Sequence, residues 1–145
     1  MAIPSAITLK LSILLIILPA FEARETIAIG ARVHVTIENN VRAPNPTTMT
    51  VHCKSKNDDL GYQTVMFGQS YVFSFKPIVF PIKVATLFFC SFTWPQDPSL
   101  HYLDVYDENK DTCRDCSWKI NVDGGCLNGE CRPFNKNIQL MDVRA

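Results

Sequence analysis

Six cysteines in a chain of 145 residues constrain the fold more than any other feature of the sequence. They lie at Cys53, Cys90, Cys113, Cys116, Cys126 and Cys131, all after an apolar N-terminal stretch. An even number of cysteines in a short exported chain is typical of a disulfide framework, because a small domain buries little apolar area and gains from covalent cross-links. We therefore expect three disulfides.

The N-terminus has the order of features found in a secretory signal peptide. One early cation, Lys10, precedes a largely apolar run over residues 11–18, and small residues follow at Ala20 and Ala23. The run is about half as long as the roughly 20 residues needed to span a bilayer. We predict that residues 1–23 are removed, with cleavage after Ala20 as the alternative. The mature protein is then secreted, extracellular and not inserted in a membrane.

The remainder, about 120 residues, is the usual size of one domain. We predict a single domain over residues 24–131 and a weakly structured tail over residues 132–145, which lack strand patterning. Basic and acidic side chains number 14 each, so the net charge is zero. This balance argues against a nucleic-acid partner held by bulk electrostatics. We also expect a monomer.

Hydrophobic alternation with a period of two indicates strands, because successive side chains of a strand point to opposite faces. Val33, Val35 and Ile37 show this pattern most clearly. The predicted strands occupy residues 33–37, 49–53, 70–75, 86–94, 102–106 and 116–122. Residues 58–61 are interpreted as a turn and residues 77–81 as a loop, since proline lacks the ladder donor. No segment shows helical periodicity. The pattern predicts an all-β fold, an antiparallel β-sandwich of about six to eight short strands stapled by disulfides, with a β-barrel as the alternative.

Several short blocks follow one another in a distinctive order. They are Val33-x-Val35-x-Ile37-x-Asn39, His52-Cys53, Asp58-Asp59-Leu60-Gly61, Gly68-x-x-Tyr71-x-Phe73-x-Phe75, Thr86-Leu87-Phe88-Phe89-Cys90, Cys116-x-Trp118-x-Ile120 and Asp123-Gly124-x-Cys126. In this order the chain resembles the plant self-incompatibility protein family, also called S-protein homologues. The resemblance implies a secreted β-sandwich that acts as a non-enzymatic ligand. Its expected role is extracellular cell–cell recognition, such as pollen–pistil recognition, through a cell-surface receptor.

Strand phase suggests which cysteines face the core. Cys53, Cys90 and Cys116 fall on inward positions, and the other three lie in turns. Among the 15 pairings that six cysteines allow, we predict Cys53 with Cys126, Cys90 with Cys116, and Cys113 with Cys131. The last four cysteines could also form a zinc site, but an oxidising compartment favours disulfides. We expect no metal and no cofactor.

The longest charged segment is the first candidate for a receptor contact. Its candidate residues are Asp107, Glu108, Asn109, Lys110, Asp111, Arg114 and Asp115. The segment begins like a calcium-binding EF-hand loop, but Thr112 stands where that loop needs glycine and Trp118 where it needs glutamate. A polar loop on a rigid scaffold is where recognition residues concentrate. We therefore predict that it contacts an unidentified cell-surface receptor.

Two other functions are alternatives to that of a ligand. A secreted ribonuclease would need two imidazoles on either side of one phosphate. The chain has His34, His52 and His101, and the first two would be neighbours if the first two strands pair. No accompanying ribonuclease motif is present, so we predict a protein that is not an enzyme. The other rival is a secreted defence or inhibitor protein.

Overall fold

The computed structural model describes residues 28–80 and 85–136, so the predicted signal peptide lies outside the described residues. The strands are β1 (Ala28–Ile29), β2 (Val33–Asn39), β3 (Met49–Lys54), β4 (Asp59–Val65), β5 (Ser70–Phe75), β6 (Ile78–Phe80), β7 (Leu87–Trp94), β8 (Asp97–Asp107), β9 (Asp115–Asn121), β10 (Gly124–Leu127) and β11 (Glu130–Pro133). This part of the chain contains no helix, and therefore none that is long and apolar enough to cross a membrane.

Nine of these strands form two sheets that pack face to face. One sheet has the order β11-β10-β9-β2-β5 and the other the order β4-β3-β7-β8, while β1 and β6 form a separate two-stranded ladder. Neighbouring strands are antiparallel except β2 and β9, which run parallel with Ile37 opposite Trp118. The predicted all-β, disulfide-bonded fold is confirmed, with this one parallel pair as a departure from a purely antiparallel sandwich.

The core lies between the two sheets, as the alternating residues require. Val35 and Ile37 of one sheet and Val51 of the other are fully buried. Trp118 is also fully buried, and its indole N–H donates to the main-chain oxygen of Val105 at 2.8 Å. Because β9 and β8 belong to different sheets, this hydrogen bond ties the sandwich together. Burying an aromatic side chain of this size stabilises the fold by several kcal/mol, about 3 as an order of magnitude.

Two strands occur where the sequence predicts a turn or a loop. Strand β4 includes most of the predicted turn at residues 58–61, and it buries only Val65 fully, so its sequence shows no apolar alternation. Strand β6 falls inside the predicted loop at residues 77–81 and pairs with β1. The flanking prolines do not prevent this, because a short strand in a two-stranded ladder needs few donors.

The predicted tail is wrong for residues 132–136, which belong to the fold. Arg132 and Pro133 are part of β11, and the ring of Phe134 lies 6.0 Å from that of Phe92. The main-chain N–H of Asn135 donates to the oxygen of Tyr102 at 2.8 Å. These contacts rest largely on main-chain pairing, which leaves no periodicity in the side chains. The rest of the predicted tail, residues 137–145, lies outside the described residues.

All three predicted disulfide pairs are wrong, although the core-facing phase of Cys53, Cys90 and Cys116 is right. The disulfides are Cys53–Cys90, Cys113–Cys116 and Cys126–Cys131. The first joins residues directly opposite each other on β3 and β7, and the last does so on β10 and β11. The prediction rested on strand phase, which does not identify the residues that lie opposite each other in a sheet. Directly opposite residues on neighbouring strands have much closer Cβ atoms, so cross-strand pairing within one sheet prevails.

Candidate functional site

The loop between β8 and β9, residues 108–114, is closed by hydrogen bonds of its own. The amides of Lys110 and Asp111 both donate to the main-chain oxygen of Asp107, at 2.9 and 2.7 Å. The carboxylate of Asp107 accepts from the amide of Asn109 at 3.0 Å. The carboxylate of Asp111 accepts from the amide of Asp107 at 2.7 Å. Short-range bonds of this kind fix a turn, because aspartate readily bonds main-chain groups two to four residues away.

Asp111 is the buried anchor of this loop. Its side chain is 2% exposed, and its second oxygen lies 3.3 Å from a guanidinium nitrogen of Arg132 on β11. The guanidinium carbon of Arg132 lies 5.5 Å from the ring centre of Trp118. A buried carboxylate needs such partners to offset its lost hydration. Asp111 was predicted to contact a receptor, and this is wrong because its side chain is not accessible.

Both ends of the loop are tied to neighbouring segments. Glu108 exchanges two hydrogen bonds with Thr86, one from its amide at 2.9 Å and one to its carboxylate at 2.8 Å. The main-chain oxygen of Arg114 accepts from the amide of His34 at 2.7 Å. The Cys113–Cys116 disulfide closes the same end. The loop is therefore held at residues 107–108 and again at residues 113–116.

Four of the seven predicted contact residues are exposed at the surface: Asn109, Lys110, Arg114 and Asp115. The side chain of Lys110 is 70% exposed, and its ammonium nitrogen lies 4.0 Å from a carboxylate oxygen of Asp107. The segment 107–115 contains four acidic and two basic residues, but three of the acids bond within the fold. The exposed remainder comprises two cations, Lys110 and Arg114, and one anion, Asp115.

A pocket of about 350 Å³ lies at the same end of the sandwich. Its apolar wall includes Phe75 and Phe88, whose ring centres are 4.8 Å apart. Residues 55–58, between β3 and β4, supply polar groups at its rim. Thr86 lines the pocket and also holds Glu108, so the pocket borders the β8–β9 loop directly.

The histidines do not form the arrangement that a ribonuclease would need. His34 lies on β2 and His52 on β3, which are in different sheets, and each alternates with core residues and so points away from the core. The expectation that these two could be neighbours is therefore wrong. His101 stacks on Trp94 at 4.5 Å between ring centres and lies 2.9 Å from a carboxylate oxygen of Asp97. The three histidine side chains therefore lie at three separate places in the fold.

Sequence reasoning missed a polar pair on the outer face of the four-stranded sheet. Nε2 of His52 lies 2.6 Å from Oδ1 of Asp59, and the His52 ring packs on that of Tyr62 at 4.1 Å. The N–H of Gly61 and the His52 ring stabilise the ionised carboxylate, which lowers the pKa of Asp59 below its ordinary value of 3.8. The Asp58-Asp59 sequence was interpreted only as a turn. The alternation of residues 49–53 already placed His52 outward, but it did not identify the partner strand.

No metal-binding cluster is formed by the His, Cys, Asp and Glu residues of the described segments 28–80 and 85–136. The four cysteines considered for zinc are joined in two disulfides, and zinc binds the free thiolate. Asp107 and Asp111, which gave the loop its resemblance to a calcium site, bond to main-chain amides. These residues therefore serve the structure of the fold.

The fold and this loop define a class: a small β-sandwich, fixed by disulfides, that displays a closed polar loop at one end. Known relatives identify the family. The family described as plant self-incompatibility protein S1 matches residues 34–141. S-protein homolog 5 of Arabidopsis thaliana is 44% identical over 105 residues, which cover 69% of this chain and 76% of that protein. S-protein homolog 18 of the same plant is 33% identical over 142 residues, covering 93% and 98%. The chain belongs to the plant self-incompatibility protein family, the S-protein homologues.

A solved structure agrees with the fold. It is described as that of SPH (Self-Incompatibility Protein Homologue) proteins, a widespread family of small, highly stable, secreted proteins from plants. The TM-score is 0.50 at 15% identity, and the match covers 74% of this chain and 89% of the other. At this identity the likeness supports the sandwich architecture alone. The family resemblance predicted from the ordered sequence blocks is confirmed.

Proposed function

We propose that this protein is a secreted, non-enzymatic ligand that binds a cell-surface receptor in extracellular cell–cell recognition. Family membership supports this, as does the description of the related SPH structure as that of secreted plant proteins. The predicted signal peptide and the three disulfides are consistent with an oxidising extracellular compartment. The receptor binds the exposed residues of the β8–β9 loop and the adjoining start of β9.

One observation carries this proposal: the loop is held by its own acidic residues while Lys110 and Arg114 remain exposed. Ordering a flexible loop on binding costs about 0.5–1.5 kcal/mol for each immobilised side chain, and a loop already closed avoids part of that cost. Lys110 and Arg114 are the exposed cations of this site. We infer that acidic groups of the receptor contact these two side chains and raise the association rate by electrostatic attraction.

The experiment compares two variants that lose the same charge at different places. Labelled protein is bound to membranes from pollen, pistil and leaf, and saturable binding is measured. Lys110→Ser with Arg114→Ser should weaken binding at least about tenfold, a typical consequence of removing two interface charges. The matched control, Lys119→Ser with Lys136→Ser, removes two exposed cations elsewhere and should retain affinity within about twofold, since rim charges far from a contact add little.

An equal loss in both double variants would indicate non-specific attraction by total charge and would contradict the loop as receptor site. Saturable binding that neither variant changes would place the contact on another surface.

The same preparations separate the rival functions. Inhibition of microbial growth or of proteases, in the absence of any plant membrane, would support the defence or inhibitor protein. Cleavage of RNA by the wild type that is lost in His34→Ala with His52→Ala would support the ribonuclease. The different sheets of these two histidines argue against that second outcome, because a shared phosphate would have to contact both.

A further inference from the structure

Residues 60–75 contain no charged residue and no proline. They include nearly all of β4 and all of β5, which are edge strands of the two different sheets. Within the described segments, β4 pairs only with β3, and β5 pairs only with β2. We call this part of the surface the open side; it consists of β4, β5 and the connecting residues 66–69.

The opposite edges of the sandwich are protected. Strand β8 contains Pro98 and receives a hydrogen bond from Asn135 at Tyr102. Strand β11 has only four residues and contains Glu130, Arg132 and Pro133. Natural proteins protect edges with charges, prolines and covering segments, because a bare edge pairs with other strands. Apart from Asp59 at the start of β4, the open side has no charge or proline of its own along either edge.

The open side also exposes apolar surface. Tyr62 is 72% exposed, Met66 61% and Val72 54%. A row of aromatic rings on β5, Tyr71, Phe73 and Phe75, packs against the core but stays only half-buried. A strand or sheet placed against this side would complete the burial of that row. Exposed apolar area joined to bare strand edges marks an interaction surface.

We propose that the occupant is a second copy of this chain, with β4 of each copy paired antiparallel about a two-fold axis at Gln63. A two-fold arrangement brings identical surfaces together, and the neutral run lets them approach without like-charge repulsion. This register places the Asp59 end of each β4 next to the partner's connecting residues 66–69, which include Phe67. Within each copy the guanidinium carbon of Arg42 lies 4.6 Å from the centre of the Phe67 ring. Arg42 of one copy then lies beside Asp59 of the other, twice in the dimer, so the charged ends are complementary.

This inference does not depend on the proposed receptor, and it replaces the monomer expected from the sequence. It is tested by sedimentation velocity of the full secreted protein over roughly 1 to 200 µM, because association follows mass action. The wild type should shift from monomer to dimer. Gln63→Lys places two ammonium groups beside each other at the axis and should weaken the dimer at least about tenfold. Gln96→Lys adds the same charge at an exposed turn between β7 and β8 and should dimerise like the wild type.

A second variant tests the register directly. Gln63→Cys places two thiols opposite each other across the axis, where Cα atoms about 4.5–5.5 Å apart allow a disulfide. Mild oxidation should link the dimer covalently, and Gln96→Cys should not. Thermal unfolding that matches the wild type at a concentration where the wild type is monomeric verifies that each variant is folded. A wild type that stays monomeric over the whole range would overturn the proposal, even if it bound an extended peptide at β4. A dimer that Gln63→Lys leaves intact would overturn it as well.

Discussion

The side-chain amide of Asn39 donates a hydrogen bond of 2.9 Å to the main-chain oxygen of Val65, 26 residues further along the chain. The same nitrogen donates to the oxygen of Thr47 at 2.7 Å, and the side-chain oxygen accepts from the amide of Val41 at 2.9 Å. Asn39 is fully buried at the end of β2. It therefore joins one sheet to the end of β4 in the other sheet and fixes the intervening loop.

Asn39→Ala should be among the most destabilising single substitutions in this protein. It leaves three buried main-chain groups without their partner, and each costs about 1–3 kcal/mol. We expect a loss of about 3 kcal/mol or more from a total stability of about 5–15 kcal/mol. Urea unfolding measures it. The control is Asn40→Ala, which removes one half-buried bond to Asn121 and should cost about 1 kcal/mol. Equal costs for the two would show that Asn39 has no special role.

Removing the disulfides one at a time should lower the free energy of unfolding by unequal amounts. The Cys53–Cys90 bridge spans 37 residues, whereas Cys113–Cys116 and Cys126–Cys131 span 3 and 5. Loop-closure entropy gives about 4 kcal/mol for the first and about 2 kcal/mol for each of the others. Paired Cys→Ala variants, followed by calorimetry, should show this rank. Peptide mapping without reduction tests the pairs themselves, and a peptide linking Cys53 to Cys126 would contradict them.

Gly125→Ala should destabilise the protein by overpacking. A Cβ atom at this position would lie 2.7 Å from Cδ2 of Leu103 and 3.0 Å from Cε3 of Trp118. Such crowding costs about 1–3 kcal/mol. It should also change the near-ultraviolet circular dichroism of the buried indole. Gly61→Ala meets nothing within 4 Å but has a φ of 75°, so it should cost about 1 kcal/mol through the backbone and leave the tryptophan signal unchanged. An unchanged near-ultraviolet signal in Gly125→Ala would show that the added methyl group does not crowd Trp118.

The sequence predicts those parts of the fold in which side chains report the environment. Strand β2 is readable because Val33, Val35 and Ile37 alternate with polar residues, and all three are buried. Strand β10 is not, because Gly124 and Gly125 have no side chains to alternate. The inward phase of three cysteines is equally readable, but their partners depend on the order of strands in the sheets. That order is a long-range property that alternation does not contain.

In the candidate site too, some features can be predicted from the sequence and others depend on the folded chain. Composition locates the charged loop, because a run of charged residues between two strands is visible in one sequence. It does not distinguish Asp111, which is 2% exposed, from Asp115, which is exposed. The difference depends on Arg132, 21 residues away, reaching back to the loop from β11. Only the folded chain brings the two together.

Acid should lower the folding stability of the wild type more than it lowers that of Asp59→Asn. The pKa of Asp59 is lowered by the Gly61 N–H and by His52, so the folded state binds this proton less readily than the unfolded state. The resulting stability is fully present above the ordinary pKa of 3.8 and is lost as the pH falls through the lower pKa of the folded state. Urea midpoints near neutrality and well below that ordinary pKa should therefore differ less in Asp59→Asn. Asp58→Asn leaves the His52–Asp59 pair intact, so its urea midpoints at the two pH values should differ as much as those of the wild type. An equally reduced difference in both variants would contradict the assignment of this acid sensitivity to Asp59.

Asp111→Ala should loosen the loop while leaving its exposed surface chemically unchanged. It removes the acceptor of the Asp107 amide and leaves the guanidinium of Arg132 without its carboxylate, at a cost of about 2 kcal/mol. Hydrogen exchange at the amide of Asp107 should become faster. The control, Asp115→Ala, removes an exposed acid at the start of β9, next to the same loop, and should cost less than about 0.5 kcal/mol. If Asp111 acts only through the shape of the loop, Asp111→Ala should also lower membrane binding although its side chain contacts no receptor. Faster exchange with unchanged binding would show that the closed loop is not what the receptor recognises.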